Sequence, residues 1–220
     1  MSIRKVAFVP GEYYHIYNRG NSKQKIFRDK GDCQRFVDLL YAVNSKDRFN
    51  FSDSRKGISV YEQEKNPRLV YIGAYCLMPN HFHVLITPLT EDGLTKFMQK
   101  LATAYVMYFN QKYGRTGALF ESKFKAEHAN NDRHLKYLFS YIHLNPVKLL
   151  QKNWKEEGLK NKKGALEYLN RYKYSSYIDY LGEKRQENII ISKSVFPNYF
   201  PGTKNFIKEI LTWINYHKTL

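Results

Sequence analysis

Two periods of apolar and polar residues alternate along this chain, and together they predict most of its elements. Glu12 to Asn18 reads aromatic–polar in steps of two, the mark of a strand, with Tyr13, His15 and Tyr17 on one face. Arg19-Gly20-Asn21 then turns the chain. Phe36, Leu39, Leu40 and Val43 recur at helical spacing and predict a helix from about Gly31 to Asn44, with Asp29 or Asp32 as its cap. Residues 45–68 are polar, charged and without period, a connection holding at most a short strand or hairpin. Leu69 to Leu77 is a continuous apolar run and predicts a buried strand. Across the Met78-Pro79-Asn80 turn, His81 to Thr87 forms its antiparallel neighbour.

The second half is mostly helical in pattern. Leu94, Phe97, Met98, Leu101, Tyr105, Tyr108 and Phe109 predict a helix over Glu91 to Tyr113, closed at Gly114. Phe120 to Ala129 alternates as a fourth strand, with Lys123 and Lys125 on one face and Phe124 on the other. Asn130-Asn131-Asp132 caps a further helix from Arg133 to Asn145, which Pro146 ends. Lys148 to Lys163 reads as a basic connection, and Tyr168 to Tyr180 holds a tyrosine cluster. After a polar break, a last amphipathic helix is predicted from Lys204 to Tyr216. The order strand, helix, strand, strand, helix, strand, helix predicts an α+β fold. Its centre is a ferredoxin-like, RRM-like antiparallel sheet with helices on one face and the other face open to a ligand. Residues 1–182 form the main domain in this reading, and residues 183–220 a C-terminal helical appendage.

Charge turns that fold toward a partner. The 220 residues carry 36 Lys and Arg against 20 Asp and Glu, a formal net charge of +16, and include 19 tyrosines. Basic groups neutralise phosphates and aromatic rings stack on bases, the pairing found in single-strand nucleic-acid binders. A generally basic surface with no such partner is the plainer alternative. No signal peptide and no membrane-spanning apolar run are read from the sequence. Cys33 and Cys76 are too few for a disulfide framework, so a soluble protein of a reducing compartment, the cytoplasm, is expected.

The candidate chemistry lies in two places. His81 and His83 share one strand face and make half of a divalent-metal site, or else two partly exposed histidines. Tyr141 and Asn145 stand four apart, on one helical face. If that face lies over the histidines, His81, His83 and Asn145 can hold one Mg²⁺ or Mn²⁺ beside a nucleophilic Tyr141. With so many tyrosines, Tyr137 one turn earlier is the competing nucleophile. A lone His15 beside tyrosines reads more simply as a packing residue.

The motifs P-N-H-F-H-V-L-I (79–86) and Y-I-H-L-N-P-V-K (141–148) resemble those of the single-tyrosine HUH transposases, in particular the REP-associated tyrosine transposase branch. H-I-Y-N-R-G-N at 15–21, Y-G-R-T-G-A-L-F at 113–120, K-F-K at 123–125 and Y-S-S-Y at 174–177 extend the resemblance over residues 12–182. It implies the HUH endonuclease fold and a metal-dependent transposase that cleaves and rejoins single-stranded, hairpin-forming DNA. The intermediate implied is a 5′-phosphotyrosine, with Mg²⁺ or Mn²⁺ and no nucleotide cofactor. By position it makes Tyr141 the catalytic nucleophile, and His81, His83 and Asn145 the metal ligands. Arg19, Arg115, Lys123 and Lys125 are candidates for DNA contact. A nucleoid-associated location follows from that partner, and the family leaves monomer and homodimer open. The alternative is a domesticated hairpin-binding protein without turnover. An RNA-binding module lacks its usual aromatic strand motif here, and a zinc hydrolase lacks a third ligand at suitable spacing.

Overall fold

The computed structural model of the chain describes residues 8–47, 59–62 and 67–215. Most of the expected 45–68 connection, and the end of the last predicted helix at Tyr216, lie outside the described residues. The elements that build the centre are β1 (Tyr14–Arg19), α1 (Lys30–Ala42), β2 (Val70–Met78), β3 (His81–Pro88), α2 (Gly93–Lys112), β4 (Lys125–His128) and α3 (Asp132–Leu144). The strands pair antiparallel in the order β2-β3-β1-β4. This is the ferredoxin-like sheet that the order of elements predicts.

Local chemistry sets the helix boundaries. Asp29 and Asp32 both act at the start of α1, in a capping box. Asp29 accepts from the Asp32 amide at 2.9 Å, and Asp32 accepts from the amides of Arg28 at 2.8 Å and Asp29 at 3.3 Å. Lys112, in the last turn of α2, reaches both carboxylates at 2.7 Å and ties the two helices together. Gly114 ends α2 with φ +58°, a left-handed conformation that glycine adopts without strain.

The two faces of the sheet differ. Tyr14, Ile16, Phe82, Val84 and Ile86 point into the core under α1 and α2, where Phe36 meets Phe82 at 4.9 Å between ring centroids. Each fully buried side chain of this size contributes about 1.5–3 kcal/mol. The register Tyr17↔His83, Arg19↔His81, His15↔Glu127 and Tyr17↔Lys125 puts His15, Tyr17, Arg19, His81, His83, Lys125 and Glu127 together on the opposite face. That face is narrower than an open sheet, because α3 covers its β2 and β3 side.

The C-terminal third is more structured than its sequence suggests. The Lys148–Lys163 connection is corrected to a 3₁₀ turn (Asn145–Leu149), α4 (Trp154–Glu157) and the start of α5 (Lys162–Arg171). Trp154, Leu159, Ala165 and Leu169 are buried. The tyrosine cluster ends in α6 (Tyr177–Tyr180), and residues 174–176 close the free edge of β2. There Leu77 N donates to Tyr174 O at 2.9 Å, and Ser176 N donates to Tyr75 O at 3.0 Å. Farther along the same edge, Ser192 N donates to Ile72 O at 2.9 Å. A register shift near Gly73 brings its backbone against Phe196; a Cβ there would lie 2.8 Å from the ring. Finally α7 (Thr203–Asn215) buries Phe206, Ile210 and Ile214, and Phe206 packs on His143, Tyr177 and Tyr180 at 5.0–5.4 Å. No helix among the described residues is long and apolar enough to cross a membrane.

Candidate active site

The Met-Pro-Asn turn fixes where β3 begins, and so which face the histidines take. Asn80, in that turn, accepts from His81 Nδ1 at 2.7 Å, which leaves the Nε2 lone pair of His81 outward. His83 lies deeper, its ring perpendicular to that of His81 at 4.9 Å. Its Nδ1 meets His15 Nε2 at 2.9 Å, while its Nε2 is buried without a partner. Burial, reinforced by Lys148 and Arg19, brings the His81 pKa down to about 4. Burial also holds His83 well below the ordinary histidine value, with the charges of His15, His81, Lys148 and Lys155 acting in the same direction. Neutral imidazoles with bare nitrogens are metal donors.

Helix α3 begins where Asn131 accepts from the His134 amide at 2.8 Å, and its apolar stripe fixes its rotation. Leu135, Leu138, Phe139 and Ile142 are buried. The opposite edge of the helix therefore presents His134, Tyr137 and Tyr141 to the sheet. The Tyr141 ring stands nearly perpendicular to His83 at 5.5 Å and to His15 at 5.7 Å. Tyr137 lies 5.8 Å from Tyr141 and leans on Trp213 of α7 at 4.8 Å. Burial raises the pKa of Tyr141, helped by Tyr137, Tyr17 and Glu127 and opposed by the Asn145 amide. Asn145 itself donates from Nδ2 to Tyr141 O at 2.8 Å, and its Oδ1 is buried without a partner. A buried polar atom left unpaired costs about 1–3 kcal/mol. The Nε2 of His81, the unpartnered Nε2 of His83 and the orphaned Asn145 Oδ1 therefore fit a divalent cation that favours nitrogen and oxygen donors. Among the described residues no cluster of three His, Cys, Asp or Glu side chains suited to a metal occurs, so the third donor would be this amide.

Two lysines that the spacing of motifs did not single out complete the surroundings of Tyr141. Lys155 Nζ lies 4.6 Å from the ring centroid and Lys148 Nζ 5.8 Å. Lys155 is half-buried, and desolvation, with Lys148 nearby, lowers its pKa. A hollow of about 280 Å³ beneath Tyr141 is lined by His15, Tyr17, His83, Glu127, His134 and Tyr137.

The four basic residues proposed for DNA divide. Arg19 and Lys125 line a hollow of about 270 Å³ with Tyr17, Asn80 and His81, beside the histidine pair. Arg19 is already engaged there, donating to Glu121 from Nη2 at 2.6 Å and from Nε at 3.1 Å. Lys123 precedes β4 rather than sharing a strand face with Lys125, and it borders a separate cavity of about 540 Å³ with Phe82, Phe120 and Phe124. Arg115 follows the end of α2, with its guanidinium 5.6 Å from the ring of Phe109 on that helix, which covers the other face. His15, read from sequence as packing, is in the cluster. Its alternation with Tyr17 was visible, but the β1–β3 register that sets Tyr17 across from His83, and so His15 diagonal to it, was not.

Comparison with known families and structures bears on this arrangement. The family described as "Transposase IS200 like" matches residues 9–145. No curated protein matches the chain. A solved structure described as a REP-associated tyrosine transposase bound to a REP hairpin is similar in fold. It has a TM-score of 0.51 and 13% identity, over 90% of this chain and 89% of that one. The family match runs from just before the first strand to Asn145, well over half of the sequence, and the chain belongs to the IS200-like transposase family.

Proposed function

We propose that this transposase cleaves and rejoins single-stranded, hairpin-forming DNA through a covalent bond to Tyr141. The observation that carries the reading is the placement of Tyr141 edge-on over the buried His83, with Asn145 capping the C-terminus of the same helix. The similar solved structure is of a transposase holding a REP hairpin, which supports hairpin DNA as the ligand here.

In this mechanism Tyr141 Oη attacks the scissile phosphorus. The O3′–P bond breaks, the phenol loses its proton, and the departing O3′ gains one. The products are a 5′-phosphotyrosine and a free 3′-OH. In rejoining, a 3′-OH attacks the same phosphorus and the tyrosine oxygen leaves, so the bond energy is conserved. His81, His83 and Asn145 would hold Mg²⁺ or Mn²⁺, which supplies Lewis-acid polarisation of the phosphate. Lys148 and Lys155 face the ring where negative charge gathers on the phenolate and the phosphate, and their fixed charges stabilise it. Lys125, beside His81, guides the strand toward the site. Residues 1–182 are the catalytic domain in this reading, and the 183–220 appendage braces α3 through Trp213 and Phe206.

The test is a labelled hairpin oligonucleotide from the flank of the gene, incubated with Mn²⁺ or Mg²⁺ and resolved on a denaturing protein gel. The expected result is an adduct with the wild type and with Tyr137→Phe, and none with Tyr141→Phe or His81→Ala. Adduct surviving in Tyr141→Phe moves the nucleophile elsewhere. Tight hairpin binding without adduct under either metal favours the domesticated binder instead.

A further inference from the structure

A hydrogen bond between two buried imidazoles forces a choice of tautomer, and here the surroundings make it. His15 Nε2 and His83 Nδ1 are 2.9 Å apart, so one must donate and the other accept. The rings are nearly parallel, with centroids 5.0 Å apart, and both side chains are almost fully buried. At the far end of the pair, His15 Nδ1 has no hydrogen-bond partner, but the Glu127 carboxylate stands 3.8 Å away. The sheet register puts it there, since Glu127 is directly across from His15.

Two arrangements of the protons are open. In one, His15 donates to His83. Then the bare Nδ1 of His15 faces a carboxylate, lone pair toward negative charge, and His83 carries an Nε2–H that is buried without an acceptor. In the other, His83 donates to His15. Then the His15 Nδ1–H faces Glu127, and His83 Nε2 is left bare. The second arrangement turns a repulsion into an attraction: the one buried N–H outside the pair then faces a carboxylate 3.8 Å away, instead of having no acceptor near it. Carboxylate–histidine chains of this kind orient histidine ligands in metal sites, and losing one typically weakens metal binding about 10- to 100-fold.

We propose that His15 and Glu127 are positioning residues that hold His83 in the Nδ1–H tautomer, so that its Nε2 lone pair faces the space beside Tyr141. The inference rests on the proposed function only in taking His83 as a metal ligand. His134 Nε2 approaches the same carboxylate at 3.6 Å and helps keep it in place.

The test uses the metal-free, ¹⁵N-labelled full chain and reads the ring nitrogens of His83 by long-range proton–nitrogen correlation. Titration with Mn²⁺ alone follows. The wild type is expected to show His83 as the Nδ1–H tautomer. His15→Leu removes the acceptor, shifts His83 toward Nε2–H and weakens Mn²⁺ binding about 10- to 100-fold. His15→Gln, whose amide oxygen can accept, restores part of both. Glu127→Gln changes a half-exposed side chain and tests the chain of bonds even if His15→Leu fails to fold. It is expected to shift the tautomer in the same direction with a smaller loss of affinity. A role in packing alone would lower the melting temperature and leave the tautomer unchanged. His83 found as Nε2–H in the wild type overturns the proposal, and so does a tautomer unaffected by both variants. If instead the tautomer responds as expected but the wild type neither binds Mn²⁺ nor forms adduct, the metal-dependent reading fails and the proton order stands.

Discussion

His143 gives this protein a built-in sensitivity to acid that can be worked out from its surroundings. The side chain is fully buried beneath α7, with Nε2 2.7 Å from Ser176 Oγ and the rings of Tyr177, Tyr180 and Phe206 around it. Burial, with Lys193 adding to it and the Phe139 carbonyl opposing, takes its pKa from 6.5 to about 3. The folded pKa is depressed, so between these two values the unfolded chain binds more protons than the folded one. Stability is therefore full above 6.5 and falls as the pH drops through the window toward 3. Each pH unit below 6.5 costs about 1.4 kcal/mol, which makes about 2.7 kcal/mol at about pH 4.5 from this residue alone. Domains of ordinary stability have about 5–15 kcal/mol to lose. The perturbation is His143→Leu, which keeps the volume and removes the titration. Its cost near neutrality should be modest, about 1 kcal/mol for the lost bond, because Ser176 Oγ still accepts from Tyr75 N at 2.9 Å. Urea unfolding followed by tryptophan emission, at about pH 7.5 and about pH 4.5, measures the difference. The wild type should lose about 2.7 kcal/mol more than the variant between those points. His15 and His81, both at about 4, titrate in both proteins and cancel in the comparison. Equal losses in wild type and variant would refute the reasoning and mean that His143 is solvated or already charged in the fold.

Other consequences can be checked separately. Lys155→Met keeps the half-buried stem and removes the charge over Tyr141, and single-turnover cleavage at saturating hairpin should slow about tenfold or more, about 1.4 kcal/mol per decade; an unchanged rate removes Lys155 from the mechanism. Lys125→Ala should lower the slope of log affinity against log salt by about 0.7–0.9, one phosphate contact, whereas Arg115→Ala should leave it unchanged because α2 covers the other face. Equal slopes for the two variants would contradict that division. Gly73→Ala drives a methyl into the Phe196 ring at 2.8 Å and should cost about 1–3 kcal/mol in urea unfolding, a loss that Phe196→Leu partly relieves. If Phe196→Leu gives no relief, another contact causes the loss.

How much was legible in the sequence varies with the range of the physics involved. The hairpin around Met78-Pro79-Asn80, the helices α1, α2 and α3, and most of α7 follow from local periodicity and caps, and the structure agrees within a few residues. The face shared by His81 and His83 follows from strand alternation alone. What escaped depends on contacts distant along the chain. His15 joins the cluster only through a register that pairs β1 with β3, and local pattern carries no register across 68 residues. Lys155 was hidden in a run of lysines whose short helix buries little besides Trp154, too weak a stripe to read as periodic. Arg19 looked available because its ion-pair partner, Glu121, lies 102 residues further on. Residues 174–176 gave no strand signal, because they add only a few backbone bonds to the edge of β2.

That edge has a consequence for how the protein comes into being. β2 is paired on one side by β3, which is made early, and on the other by residues 174–176 and 192, which are made late. A ribosome that has released only the first part of the chain exposes a nine-residue apolar strand with unpaired amides, the kind of edge that recruits other chains. The helix bearing Tyr141 exists by then, but Phe206 and Trp213, which brace it, do not. Incomplete translation products should therefore go to chaperones and proteases rather than accumulate as loose nucleases. Completion of the chain and assembly of the tyrosine site are coupled in time, so the order of synthesis itself restrains an enzyme built to break DNA.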